Sequence, residues 1–184
     1  MSSAAQQPGA TLGQMLAHVH RSDPNSPMYA PASATGVLLC HGCRDLNRCR
    51  MGLQRETLRS DGVVVSELMC PPDSEGGPNV AHGGWTAGML DELVGHTMML
   101  RGEFAVTGTL EVVFHKPMPI ELPLIATAQI ERREGRKAFV SARIELASSR
   151  ALLASAKAIM VLRPANHFER HEQWLQTQVN HEPQ

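Results

Sequence analysis

The sequence predicts an α+β domain in which one long helix lies against an antiparallel sheet. Two observations lead there. Ala87, Leu90, Leu93, Val94, Met98 and Met99 recur at helical spacing, which sets a helix over 85–101. Four strand-length segments then follow over 107–114, 122–132, 137–146 and 152–162, separated by Pro117-Met118-Pro119, Glu134-Gly135 and Ser148-Ser149. Separators this short force neighbouring strands to be antiparallel, so the four are expected to form a meander.

The remaining elements follow from local pattern. Residues before Thr11 are polar, and Leu12, Met15, Leu16 and Val19 then suggest a short N-terminal helix. Residues 22–35, rich in Pro, Ser and Ala, read as a connecting loop. Strands are expected over 37–39, 53–58 and 63–68, and the proline- and glycine-rich stretch 71–79 leads into the long helix. An amphipathic helix over 166–179 ends the chain. The organisation is therefore an extension over 1–35, one domain over 36–164 and a C-terminal helix over 165–184.

Hydrophobic residues make up 42% and charged residues 19% of the 184, a globular composition large enough for one substantial core. A formal net charge of -1 gives no electrostatic reason to propose nucleic acid or an anionic membrane as partner. No apolar run is long enough to span a bilayer, and Met1-Ser2-Ser3-Ala4-Ala5-Gln6-Gln7 lacks a basic-then-apolar leader, so a cytoplasmic location is the expectation. Three of the four cysteines fall in Cys40-His41-Gly42-Cys43-Arg44-Asp45-Leu46-Asn47-Arg48-Cys49, a spacing that permits zinc or a redox pair. Cys70 stands alone and no second ligand pair follows, so reduced thiols in a structured loop and no metal are expected.

The stretch Ala81-His82-Gly83-Gly84-Trp85-Thr86-Ala87-Gly88-Met89-Leu90-Asp91-Glu92 carries the candidate chemistry. Gly83 and Gly84 stand at the predicted helix start, where unpaired backbone N–H groups and the positive end of the dipole can hold an anion or a developing oxyanion. At about 100° per residue, Gly84, Gly88, Asp91 and Gly95 fall within roughly 60° of one another, so Asp91 lies on a glycine stripe. Each glycine costs roughly 1 kcal/mol relative to alanine. Either close packing of the helix or a slot for a thin ligand beside the carboxylate would account for them. From Gly83 to Asp91 the helix spans roughly 12 Å, whereas an oxyanion donor and a reacting carboxylate must each lie within roughly 3 Å of one carbonyl group. One chain can hardly supply both to one substrate. Two sites shared across a two-fold axis would resolve this. Glu92 is displaced by about 100° from Asp91 and, like His96, reads as a structural contact.

The order of strands, glycine-rich loop, helix and four strands, together with Ala81-His82-Gly83-Gly84, Asp91, Gly95, Thr107, His115-Lys116-Pro117-Met118-Pro119 and Glu134-Gly135-Arg136-Lys137, resembles the hotdog-fold thioesterase superfamily. The likeness is to its phenylacetate-pathway-like branch and the mammalian mitochondrial acyl-CoA thioesterases, over about residues 40–164. It implies a long central helix wrapped by an antiparallel sheet and hydrolysis of acyl-CoA to a carboxylic acid and CoA, with no cofactor beyond the CoA of the substrate. It further implies Asp91 as nucleophile or general base, the Gly83 N–H as oxyanion donor, His82 positioning the carbonyl and Thr107 orienting Asp91 or water. Uniform strand parity would set Leu110, Val112 and Phe114 on one face and Thr107, Thr109 and Glu111 on the other. Gly84 and Asn79 are further candidates beside the thioester. For CoA, the resemblance points to Val113, His115 and the turn bearing Arg136 and Lys137, where Arg132, Arg133, Arg136 and Lys137 make a local cationic cluster.

Family members commonly form dimers with sites at the interface, so a homodimer, or a tetramer as a dimer of dimers, is expected. Cys40-His41-Gly42-Cys43, Asn47 and Met51-Gly52-Leu53 also fit the family pattern, whereas Arg48-Cys49-Arg50 is more basic than that pattern. Trp85, Met89 and nearby methionines could line an acyl tunnel or fill a core. An acyl-carrier-protein thioester suits the same chemistry. The alternative function is a non-hydrolytic acyl-CoA-binding sensor or assembly module, because fold alone does not decide activity.

Overall fold

The computed structural model describes residues 29–30, 35–43, 46–164 and 166–179. In chain order these form β1 (Tyr29–Ala30), β2 (Leu39–Cys40), β3 (Leu53–Leu58), β4 (Val64–Leu68), β5 (Glu75–Gly77), β6 (Val80–Ala81), α1 (Gly83–Met99), β7 (Ala105–Phe114), β8 (Leu124–Glu134), β9 (Lys137–Leu146), β10 (Leu152–Leu162) and α2 (His167–Val179). Single 3-10 turns occur at His41–Cys43 and Pro72–Ser74. The helix suggested by Leu12 to Val19 lies outside the described residues. Met28–Arg163 makes one compact unit, and α2 belongs to another. Within α2, His171 stacks on Trp174 at 5.6 Å between ring centroids.

Six strands form one antiparallel sheet in the order β3-β4-β8-β9-β10-β7. The expected four-strand meander is therefore corrected. β8, β9 and β10 do follow one another as hairpin neighbours, but β7 lies at the far edge beside β10 and does not pair with β8. The connection 115–123 contains Pro117, Pro119 and Pro123, which cannot donate to a ladder, and it crosses between the two positions instead of turning back. The stretch before α1 is also more ordered than a loop, since β5 and β6 pair within it.

α1 begins two residues earlier than its apolar periodicity indicates, so the glycine pair forms its first turn. Its buried side chains include Trp85, Met89, Leu90, Leu93, Val94 and Met98, and the helix contacts β7, β8, β9 and β10. Opposite it, the sheet presents Ala126 and Ala128 from β8, Ala138, Val140, Ala142 and Ile144 from β9, and Ala154, Ala156, Ala158 and Met160 from β10, at the alternation of a strand with one covered face. The many alanines let the helix approach closely. Burial of each Leu, Val or Met contributes about 1.5–3 kcal/mol, which outweighs the roughly 1 kcal/mol lost at each helical glycine. Gly52 is fixed by geometry: its φ is +93° and a Cβ there would meet the Met69 carbonyl oxygen at 1.9 Å.

Candidate active site

The glycine stripe of α1 is not uniformly packed: a Cβ on Gly88 would meet Met51 Cε at 3.2 Å, whereas the stripe is open at Gly95. Asp91 is exposed, a Cβ on Gly95 would meet nothing within 4 Å, and one on Gly83 would only touch the Phe114 ring at 3.8 Å. Close helix packing therefore does not account for Gly83 or Gly95. Gly84 is different, because a Cβ there would strike His82 Nδ1 at 2.9 Å.

His82 is the N-cap of α1, and its Nδ1 accepts the Gly84 N–H at 2.9 Å. An accepting Nδ1 places the proton of the neutral ring on Nε2. The bond also engages the Gly84 amide and leaves the Gly83 N–H, at the first helical position, outside that cap. Gly83 lines a cleft of about 300 Å³ with Val80, Thr86, Phe114, His115 and Lys116 among its walls. Beside it, a cleft of about 430 Å³ is lined by Arg50, Met51, Asp73, Ser74, His82 and Trp85. Trp85 is anchored there by its indole N–H, which donates to the Met51 carbonyl at 3.1 Å.

Asp91 lies two turns further along, where the Thr107 hydroxyl donates to its Oδ1 at 2.7 Å. Uniform strand parity does not give this contact. The register of β7 on β10 slips at Gly108: Thr109 stands opposite Ile159 and Thr107 opposite Met160, with Gly108 unpaired between them. This bulge reverses the alternation, so Thr107 joins the face of Leu110, Val112 and Phe114, which α1 covers, and separates from Thr109 and Glu111. A Cβ at Gly108 would meet Val161 Cγ2 at 3.0 Å and the Ile159 carbonyl at 3.2 Å. The parity expectation for Thr107 is thus overturned.

Other candidates divide between the two ends of the sheet. Val113 and Phe114 pair with Ser155 and Ala154, and His115 Nε2 is 2.8 Å from Ser155 Oγ. Arg136 and Lys137 lie at the opposite end, since Lys137 stands beside Val161, which in turn faces Val106. Seven steps of β10, about 23 Å, separate these levels. Thr107 and Asp91 thus share the Arg136–Lys137 end, and Gly83 shares the His115 end. Two of the four turn cations are engaged by carboxylates: Arg133 holds Glu103 through two bonds of 2.7 and 2.8 Å, and Arg132 pairs with Glu134 while lying 3.3 Å over the Phe139 ring. Asn79 adopts φ +59° at the β5–β6 turn, and its N–H donates to Glu75 Oε1 at 2.6 Å, which explains its residue type by backbone geometry.

A polar cluster under α1 was only half visible in the sequence. His96 is fully buried, with Nδ1 2.5 Å from Glu56 Oε2 and Nε2 3.2 Å from Glu92 Oε1. Ser66 Oγ donates to the other Glu56 oxygen at 3.2 Å. Burial opposes charge on His96, but the bonds to Glu56 and Glu92 outweigh it and raise its pKa to about 9. The bond from His96 lowers the Glu92 pKa against the opposing effect of burial. Glu92 and His96 are structural contacts, as their helix positions suggest. Glu56 was missed because a carboxylate on a polar strand looks solvated until its partner is known. No group of three or more His, Cys, Asp or Glu side chains among the described residues is arranged to hold a metal ion, and no described helix is long and apolar enough to cross a membrane.

Residues 78–152 match the family model described as thioesterase superfamily. The chain resembles that superfamily. The mouse acyl-coenzyme A thioesterase THEM4 is 31% identical over 87 residues, 47% of this chain and 37% of the relative, so the chain matches well under half the length of that protein. A crystal structure of a thioesterase superfamily protein superposes with a TM-score of 0.54 at 27% identity, covering 58% of this chain and 52% of the other. The hotdog fold is thereby shown, with α1 as its central helix. A Streptococcus mutans protein bound to acetyl CoA has the same fold at 17% identity, with a TM-score of 0.57 over 63% of this chain and 92% of that one. The segment that matches this family model contains Asn79, the whole of α1 and the strands β7 to β9.

Proposed function

We propose that the protein is an acyl-CoA thioesterase that works as a homodimer, with Asp91 as nucleophile or general base. The carrying observation is the hydrogen bond from Thr107 to an exposed Asp91. A hydroxyl donating to one carboxylate oxygen fixes the orientation of the other without neutralising the charge. The other oxygen then attacks the thioester carbonyl or takes a proton from water. The Gly83 N–H stabilises the oxyanion, and His82 keeps the helix start in place by capping Gly84.

The edge of the sheet supports the dimer. β7 is a ten-residue edge strand whose outer edge pairs with no described strand, and Val113 and Phe114 are 42% and 57% exposed along it. Such an edge invites pairing with a second copy. Antiparallel pairing about a two-fold axis sets the Gly83, Val113 and His115 end of one protomer beside the Asp91, Arg136 and Lys137 end of its partner. This unites groups that one protomer holds apart, about 12 Å along α1 between Gly83 and Asp91 and about 23 Å along the sheet between the His115 and Lys137 levels. Carboxylate and oxyanion donor then act on one thioester, and Val113 and His115 from one side with Arg136 and Lys137 from the other hold CoA. A dimer of dimers is compatible with the same site.

The test is thiol release from short, medium, long and aromatic acyl-CoAs by the wild type and Asp91→Asn at equal concentration. Loss of about 10²- to 10⁴-fold in kcat, with the variant folded and dimeric, supports hydrolysis through Asp91. Absence of turnover by the wild type on every substrate, with tight acyl-CoA binding, identifies a sensor instead.

A further inference from the structure

The cysteine segment plays no part in the proposed hydrolysis, yet its geometry is specific. Cys40 ends β2 and Cys43 closes the 3-10 turn His41–Cys43. Cys40 immediately precedes that turn, so it stands three residues from Cys43 across a single tight turn, which holds the two Cα atoms under about 7 Å apart, the range a disulfide needs. Cys40 is half-buried and Cys43 buried, and both are free thiols. Burial raises the Cys40 pKa, and the Cys43 side chain, hydrogen-bonded to it, raises it further. The Cys43 sulfur also accepts the Arg50 N–H at 3.5 Å. Arg50 and the next residue, Met51, line the 430 Å³ cleft, and Met51 supplies the carbonyl that anchors the Trp85 indole.

We infer that Cys40 and Cys43 form an oxidisable dithiol site, closed to a disulfide by a hydroperoxide, whose state is transmitted through Arg50 and Met51 to Trp85 at the cleft. Cys40, the more accessible thiol, reacts first. Its thiolate attacks the peroxide, the O–O bond breaks, and a sulfenic acid forms with loss of water or an alcohol. Cys43 sulfur then displaces the hydroxyl as water, so the two thiols lose two protons and two electrons and the peroxide is reduced. Turning the Cys43 sulfur toward Cys40 removes the acceptor of the Arg50 N–H. The raised Cys40 pKa makes closure slow near neutral pH, with a rate that rises about tenfold per pH unit until the thiolate is fully formed.

The experiment treats the full-length reduced protein with hydrogen peroxide in a Trp174→Phe background, which leaves Trp85 as the sole tryptophan reporter of the two in the chain. Intact mass and peptide mapping follow the thiols while emission follows Trp85. The expected result is loss of two hydrogens mapped to a Cys40–Cys43 link, a change in Trp85 emission, and reversal of both by dithiothreitol. Cys40→Ser and Cys43→Ser should each abolish the mass change. Persistence of the disulfide in Cys40→Ser, or sulfinic acid on Cys40 without any Cys40–Cys43 link, overturns the site. A mapped link that leaves Trp85 emission unchanged overturns the transmission. Peptide mapping of the wild type decides the pairing even if a serine variant fails to fold.

Discussion

Thr107 Oγ1 lies 2.7 Å from Asp91 Oδ1, and the contact exists because Gly108 is unpaired in the neighbouring register. Thr107→Val keeps the shape of the side chain and deletes the donor. We expect kcat to fall about ten- to a hundredfold with KM little changed, because a group that orients the base acts mainly on the chemical step. Gly108→Val should lower both stability and kcat, since its Cβ would press on Val161 and the Ile159 carbonyl. Steady-state kinetics and a melting curve on each variant check this.

Gly83→Pro tests the oxyanion donor without disturbing the helix. Proline is tolerated at the first helical position, and His82 already has the extended ψ of 138° that a following proline requires. The variant should fold normally, retain acyl-CoA binding and lose about 10²- to 10³-fold in kcat. Mixing it with Asp91→Asn under subunit exchange should restore about a quarter of wild-type activity, because each mixed dimer holds one site with neither lesion. No recovery despite confirmed exchange would place both groups in one protomer.

The double substitution Arg136→Ala/Lys137→Ala should raise KM for acyl-CoA about tenfold while sparing a short pantetheine thioester, since these exposed cations would meet the nucleotide phosphates and not the reacting carbonyl. An equal effect on both substrates would remove the pair from the CoA site.

His96 gives a pH dependence of stability. Its folded pKa of about 9 exceeds the ordinary 6.5, so the stability its charge contributes is fully present below pH 6.5 and is lost as pH rises through 9. The midpoint of urea unfolding should fall across that window in the wild type and fall much less in His96→Gln. That variant should also be destabilised by about 3–5 kcal/mol, because it leaves buried Glu56 without its cation.

The long helix and the last three strands were legible in the sequence because periodicity and spacing are local properties, whereas Thr107 as the partner of Asp91 came only from the family resemblance. The place of β7 was not. Its neighbour is fixed by the path of 115–123 across the sheet and by how α1 covers it, neither of which appears in the composition of β7. The faces of β7 were misassigned for a similar reason: alternation predicts side-chain direction only while the ladder is regular, and Gly108 interrupts it. A glycine inside a β-branched strand was the available signal. Glu56 carried none, since its buried partner lies 40 positions later.

The Gly108 bulge also makes strand length a variable separate from side-chain chemistry. One residue without a partner lets β7 run on along the sheet while its first residues turn over relative to its last. Sliding that irregularity by two positions toward Phe114 would present Thr109 to α1 in place of the partly buried Leu110, at a different height along the helix. The placement of the hydroxyl is thus set by where one surplus residue is stored, and a matched insertion and deletion could retune it with every atom of Asp91 unchanged.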